Sequence, residues 1–178
     1  MHQEKQLTAK IVPFYLGQQD SAGRTIQEIW AWDFEKLEIV HNYIQWLFPL
    51  PEKSAFNHDA PIVNEEVIQA FKTDTRLRQN LQRSLSIMLE FYGLQSRETE
   101  EKIIIDKSQN YPTRKHEWIS LFNHNYLRIT RILKCLVIFG LSNEAQAFYK
   151  CLQQIYQEDS NNIGSKTFQH WTKAVKNE

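Results

Sequence analysis

Apolar residues recur at helical spacing along much of the chain, and this periodicity limits the fold more than any other feature. From Thr75 to Tyr92 the apolar positions are three or four residues apart, at Leu77, Leu81, Leu85, Met88 and Tyr92. The 178 residues include only five glycines and five prolines, which are few for an all-β fold with many tight turns. The sequence therefore predicts an all-α, single-domain bundle of about six or seven helices joined by long ordered loops.

Capping patterns give the expected helix boundaries. Thr25 and Glu28 form a capping-box pattern at the start of a short helix that reaches about Trp32. We expect residues 1–12 to be a flexible N-terminus and residues 13–178 to form the helical domain. Further helices are expected over residues 65–72, 75–92, 142–156 and 166–175, and a long ordered loop with at most one short extended piece is expected over residues 95–117.

One predicted helix, from Phe34 to Phe48, is apolar around more than half of its circumference. Asp33 can cap its first turn and Pro49 ends it. A helix with so wide an apolar surface is expected at the centre of the bundle, packed on at least two sides. Its narrow polar edge holds Glu38, His41 and Gln45.

The predicted helix over residues 123–139 carries the polar stripe best suited to chemistry. His124, Arg128, Arg131 and Cys135 fall within about 60° of one another, with apolar residues on both flanks. A guanidinium in such a stripe needs an anionic or carbonyl partner. One interpretation is an internal ion pair, and the carboxylates that can supply it are Glu35, Glu38, Glu90 and Glu144. The other is a pocket for a carboxylate or phosphate, with both arginines as forked donors and His124 as a third donor.

Composition and motifs disfavour several classes of function. Twenty-one basic residues balance twenty-one acidic ones, which argues against a nucleic-acid partner. The chain has no nucleotide-binding, hydrolase or metal-ligand motif, so no cofactor and no metal are expected. Cys135 and Cys151 favour two buried free thiols over a disulfide. A polar N-terminus and the lack of a stretch of about 20 apolar residues predict a cytoplasmic protein without a transmembrane segment.

Several strings resemble the conserved domain of the opioid growth factor receptor family. The longest covers residues 32–61, WDFEKLEIVHNYIQWLFPLPEKSAFNHDAP, and the next is NHNYLRITRIL over residues 123–133. Shorter matches are PFY at 13–15, GRT at 23–25, FYGL at 91–94 and AQAFY at 145–149. The segment NIGSKTFQHW, at 162–171, resembles the ending of short single-domain members.

The resemblance implies a receptor-like function, because the family is named for an animal receptor that binds an enkephalin-type opioid growth peptide. It also implies nuclear or peripheral membrane association as an alternative to the cytoplasm, and it carries over no catalytic residues. The positions that match the family strings and form the candidate ligand-binding set are His41, Gln45, Trp46, His124, Asn125, Arg128 and Arg131.

A ligand- or peptide-binding module is the function that the residues and the resemblance favour together. Its ligand is expected to be a small anionic molecule or a peptide carboxylate bound at Arg128 and Arg131. One alternative is an interaction scaffold that docks a partner protein. The other is an enzyme acting on a small anionic substrate, with His124 or His41 as general acid or base, although no nucleophile or carboxylate pair accompanies either histidine.

Overall fold

The computed structural model describes residues 2–54, 57 and 59–176, and this part of the chain forms ten helices and one two-stranded sheet. The chain divides into two compact units, with the boundary between Leu85 and Ser86. The single domain over residues 13–178 stays a prediction. The elements in chain order are α1 His2–Tyr15, α2 Ile26–Trp30, α3 Phe34–Ile39, α4 Ile44–Leu47, α5 Glu65–Thr73, α6 Thr75–Tyr92, β1 Leu94–Glu98, β2 Ile103–Lys107, α7 Tyr111–Trp118, α8 Asn125–Ile138, α9 Ser142–Ile163 and α10 Ser165–Lys176.

The first unit begins with α1, a helix over residues that the sequence predicted to be flexible. Its last two turns bury Ile11, Phe14 and Tyr15 completely, and the Tyr15 ring meets the Phe71 ring of α5 edge-on at 4.8 Å. These buried side chains explain why the segment is helical, because an isolated helix of this length is only marginally stable without packing.

The predicted central helix from Phe34 to Phe48 is wrong as a continuous element. Asp33 caps α3 as expected, but Val40 adopts an extended conformation (φ −80°, ψ 129°) and the chain resumes as α4. The break exposes 63% of Ile39, while Tyr43 donates from its hydroxyl to the Leu37 carbonyl at 3.0 Å. Breaking the helix lets residues 43–50 be buried as a block, which one straight helix with a polar edge would not allow.

The second unit contains a β-hairpin where the sequence predicted a long ordered loop, so the prediction of an all-α fold is only approximately right. β1 and β2 pair antiparallel, with Leu94 opposite Lys107 and Glu98 opposite Ile103. The three consecutive isoleucines of β2 are β-branched residues, which favour strands, and β2 packs against α9. Packing against α9, which is distant in sequence, thus explains why residues 103–107 form a strand and not part of a loop.

Helices α8, α9 and α10 pack on one another and form the core of the second unit. Trp171 of α10 is fully buried and donates from its indole nitrogen to the Tyr126 carbonyl of α8 at 3.2 Å. The same two rings meet edge-on at 5.9 Å. This contact fixes α10 against the first turn of α8.

The two cysteines are free and buried, as the sequence predicted. Burial raises the pKa of the Cys151 thiol from 9.0 to about 12 and raises the pKa of the Cys135 thiol well above the same ordinary value. Burial also raises the pKa of the Tyr126 phenol from 10.0 to about 12. All three groups therefore stay protonated in the folded protein at neutral pH.

We expect the free energy of unfolding to fall steadily between about pH 9 and pH 12. Groups whose pKa is raised by folding contribute their stability fully below the unfolded-state pKa, and that stability is lost as the pH rises towards the folded-state pKa. Each group that titrates only in the unfolded chain contributes a slope of up to about 1.4 kcal/mol per pH unit. Urea unfolding curves at pH 7, 9, 10 and 11 measure it. Cys151→Ala should flatten the slope, and equal slopes in the variant and the parent would contradict this assignment.

Candidate functional site

Side-chain hydrogen bonds hold the turn that leads from α7 into α8. Asn123 donates from its amide nitrogen to the Glu117 carbonyl at 3.1 Å and to the Ser120 hydroxyl at 3.0 Å. The Tyr126 hydroxyl donates to the Ser120 carbonyl at 2.9 Å. Phe122 sits within this turn at φ +58°, a left-handed conformation that is uncommon for a residue other than glycine. The hydrogen bonds around Phe122 hold it in that conformation.

Asparagine side chains connect the turn to the first arginine of α8. The Asn123 carbonyl oxygen Oδ1 accepts from the backbone N–H and the side-chain amide of Asn125, at 3.0 and 3.1 Å. Asn125 is fully buried, and its Oδ1 accepts from the Arg128 guanidinium at 3.3 Å. Arg128 is only 5% exposed, so the buried amide helps to fix the direction of its guanidinium.

The surface at the start of α8 combines apolar and cationic side chains. His124 is exposed and Arg131 is half-buried, and they lie one helical turn on either side of Leu127, which is 56% exposed. Leu121 and Phe122, in the preceding turn, are 64% and 97% exposed. We call this surface the α8 corner and define it by Leu121, Phe122, His124, Leu127 and Arg131.

The predicted stripe on α8 is therefore divided by burial. Arg128 and Asn125 face the interior, whereas His124 and Arg131 reach solvent. Both arginines have interaction partners within the fold, and Glu144, one of the carboxylates proposed for an internal ion pair, is only 7% exposed. Arg128 thus lies behind the exposed part of the stripe, and His124 and Arg131 are its members that reach solvent.

The remaining predicted site residues belong to the first unit. His41 is exposed in the break between α3 and α4. Gln45 is 7% exposed and its Oε1 accepts from the Asn57 amide at 3.4 Å. Trp46 is 1% exposed and its ring meets that of Phe14 at 5.4 Å, which makes it a core residue.

Sequence reasoning did not single out Leu121 and Phe122. Periodicity assigns apolar residues to a core and does not mark these two as exposed. The signal that could have found them is the pattern of Ser120, Asn123 and Asn125 around them, because short polar side chains of this kind bond to nearby backbone and form turns.

Neither a metal centre nor a membrane span is found in the described part of the chain. No three His, Cys, Asp or Glu side chains of residues 2–54, 57 and 59–176 are grouped so that they could hold a metal ion. Over the same residues, no helix combines the length and the apolar character needed to cross a bilayer.

A mostly helical protein with one small hairpin is the class that this architecture defines. Residues 9–178 match the family model of the opioid growth factor receptor conserved region. The chain belongs to the opioid growth factor receptor family.

Curated relatives agree with the family match. The chain is 40% identical over 118 residues to the mouse opioid growth factor receptor and 38% identical over 118 residues to the human one, which in each case is 66% of this chain. It is 39% identical over 127 residues to mouse opioid growth factor receptor-like protein 1, again 66% of this chain. The matches span only 18%, 17% and 25% of those relatives. No solved structure gives a significant match.

Proposed function

We propose that this chain is a receptor-like binding module and that the α8 corner binds a peptide through a carboxylate and an adjacent apolar side chain. The opioid growth factor receptors among its relatives are, by name, receptors for a growth factor. The observation that carries the proposal is the exposure of three apolar side chains, Leu121, Phe122 and Leu127, in the same short segment that carries His124 and Arg131.

The apolar part of the corner supplies an anchor for the ligand. Phe122 is almost wholly exposed, and the turn that presents it is fixed by Asn123 and Tyr126. Because the backbone of this turn is already fixed, binding restricts only the side-chain torsions of Phe122, which lowers the entropy cost of the contact. Removing it should therefore cost affinity without costing stability.

The polar side chains of the α8 corner would orient the bound peptide. A guanidinium can donate two parallel hydrogen bonds to a carboxylate, and Arg131 lies on the same helix face as His124. Arg128, held by Asn125 behind this face, adds a second positive charge from a buried position. A peptide carboxylate meets two cations and an imidazole donor here, close to an apolar surface for the neighbouring side chain.

Arg131→Ala should weaken binding of an enkephalin-type peptide with a free C-terminal carboxylate by about tenfold or more, because a charge-assisted pair is lost. The amidated peptide should bind the parent and the variant equally. Isothermal titration calorimetry measures both affinities. Arg76→Ala is the matched control, since Arg76 is a highly exposed arginine of α6 in the other unit.

Phe122→Ala tests the apolar half of the same corner. It should leave the melting temperature unchanged, since the ring is 97% exposed, and should weaken both forms of the peptide alike. If no peptide shifts the melting temperature of the parent protein and Arg131→Ala unfolds the chain, the stripe is structural and the proposal is wrong.

A further inference from the structure

The first unit contains a cavity that plays no part in the proposed peptide contact. Its volume is about 470 Å³, it opens to solvent, and it lies between α2, α3 and the segment before α2. The depression is wide and shallow, so a small molecule bound in it would stay partly in solvent. The lining residues are Arg24, Glu28, Ala31, Trp32, Lys36 and Val40.

One wall of the cavity is a guanidinium in a fixed position. Arg24 donates from Nε to the Asp20 carboxylate at 2.8 Å, and its Nη2 lies 2.7 Å from the same oxygen. Its Nη1 donates to the Asn42 side-chain carbonyl at 2.8 Å. The Asp20 side chain is fully buried and accepts from the backbone N–H groups of Ala22 and Arg24. Asp20 and Asn42 therefore fix the position of the Arg24 guanidinium, and the buried Asp20 carboxylate neutralises its charge.

The floor of the cavity is an indole next to an ammonium group. The Lys36 ammonium lies 4.6 Å from the Trp32 ring centroid, and the Arg24 guanidinium carbon lies 5.6 Å from it. Among residues 2–54, 57 and 59–176, neither the Lys36 ammonium nor the Trp32 indole N–H has a hydrogen-bond acceptor. The Lys36 and Trp32 side chains both line the same open volume.

The acidic residue of the lining is already engaged. Glu28 accepts from the backbone N–H and the hydroxyl of Thr25, at 2.6 and 3.0 Å, and completes the capping box of α2. The hydrogen bond from the Thr25 backbone lowers the Glu28 pKa, so this carboxylate is charged at neutral pH. Because Asp20 neutralises Arg24 and Glu28 accepts from Thr25, the Lys36 ammonium is the cation of this lining that is left to attract an anion.

We propose that this cavity binds a small molecule that carries one carboxylate and a flat apolar group. The carboxylate accepts from the Lys36 ammonium and the Trp32 indole N–H. The flat group packs against Ala31 and Val40, which supply the aliphatic part of the lining, beside the Trp32 side chain. Nothing in this assignment depends on the α8 corner.

Phenylacetate is the probe for this site, and the indole N–H signals in a nitrogen-15 correlation spectrum are the readout. The chain has five tryptophans, and Trp32→Phe identifies the signal that belongs to Trp32. We expect phenylacetate to shift that signal in a saturable way. The Trp30 signal should stay in place, because the Trp30 indole already donates to Ser84 at 3.0 Å.

Lys36→Met should weaken phenylacetate binding by about tenfold or more, and Lys36→Arg should retain most of it, because the charge is kept. Lys72→Met, at an exposed lysine of α5, is the matched control and should bind like the parent. Arg131→Ala should also bind phenylacetate like the parent, so the outcome is independent of the peptide proposal.

Three ligand comparisons complete the test. Phenylacetamide, which lacks the charge, and acetate, which lacks the ring, should each bind at least about tenfold more weakly than phenylacetate. Equal binding of phenylacetamide, or no shift of the Trp32 signal, would overturn the proposal. Tighter binding of a tripeptide with a C-terminal phenylalanine and a free carboxylate would overturn the assignment to a small molecule and identify a peptide terminus instead.

Discussion

Trp171→Ala is expected to lower the free energy of unfolding by about 3–5 kcal/mol, the usual effect of removing a fully buried large aromatic side chain. Two losses add to the cavity that the substitution leaves. The Tyr126 carbonyl loses the indole donor at 3.2 Å, and the edge-on contact between the two rings disappears. Urea denaturation followed by far-ultraviolet circular dichroism measures the change.

Two companion variants separate the causes of this destabilisation. Trp171→Phe keeps most of the apolar volume and removes the indole N–H, so it should cost clearly less than the alanine variant. His170→Ala, at an exposed neighbour in the same helix, should stay within about 0.5 kcal/mol of the parent. If Trp171→Ala is no more destabilising than His170→Ala, α10 does not hold the first turn of α8 in the way described.

Gly93→Ala is expected to destabilise the protein by about 3 kcal/mol or more. Gly93 adopts φ +77°, and a Cβ added there would lie 2.7 Å from the Tyr111 Cα and 2.9 Å from the Arg114 Cβ. Left-handed strain and overlap with the backbone of α7 therefore act together, and backbone cannot move away as the end of a flexible side chain can. Thermal and urea unfolding measure the loss, and Gly93→Ala chains that do not fold agree with it.

Gly23→Ala is the matched control for this prediction. Gly23 has the same φ as Gly93, +77°, but an added Cβ would meet no atom within 4 Å. The control therefore carries the conformational strain alone, about 1–2 kcal/mol. Equal losses in the two variants would show that the close approach of Tyr111 to Gly93 contributes nothing.

Local sequence signals predicted the helix termini that depend on neighbouring residues. The capping box of Thr25 and Glu28 is present, Asp33 caps α3, and α6 runs from Thr75 to Tyr92 as expected. Helix caps form when a side chain bonds to backbone groups a few residues away. A short stretch of sequence therefore contains both the donor and the acceptor.

Features that depend on distant partners were not predicted. The spacing of apolar residues over 34–48 predicts one unbroken helix. The break at Val40 instead allows residues 43–50 to be buried together. The hairpin of β1 and β2 is supported by α9, which lies about 40 residues further along the chain. Burial against such partners outweighed local periodicity in both places.

In the candidate site, too, local spacing predicted some features and packing between distant segments determined the others. Helical spacing placed His124, Arg128 and Arg131 on one face of α8, because residues three and four apart share a face on any helix. Tertiary packing decided which of them reach solvent, since it buried Arg128 behind Asn125 and left Arg131 half-buried. It also exposed Phe122, which no periodic pattern identifies.

By itself, the sequence determined the mainly helical character, the capped helix termini, the family and the shared face of the α8 cations, all of which follow from local spacing or from matching strings. Only the tertiary structure decided the break at Val40, the β-hairpin, the cavity beside Trp32 and the exposed α8 corner. The physical reason is that burial is a property of contacts between distant segments, and burial determines whether a charged or apolar side chain supports the fold or remains accessible to a ligand.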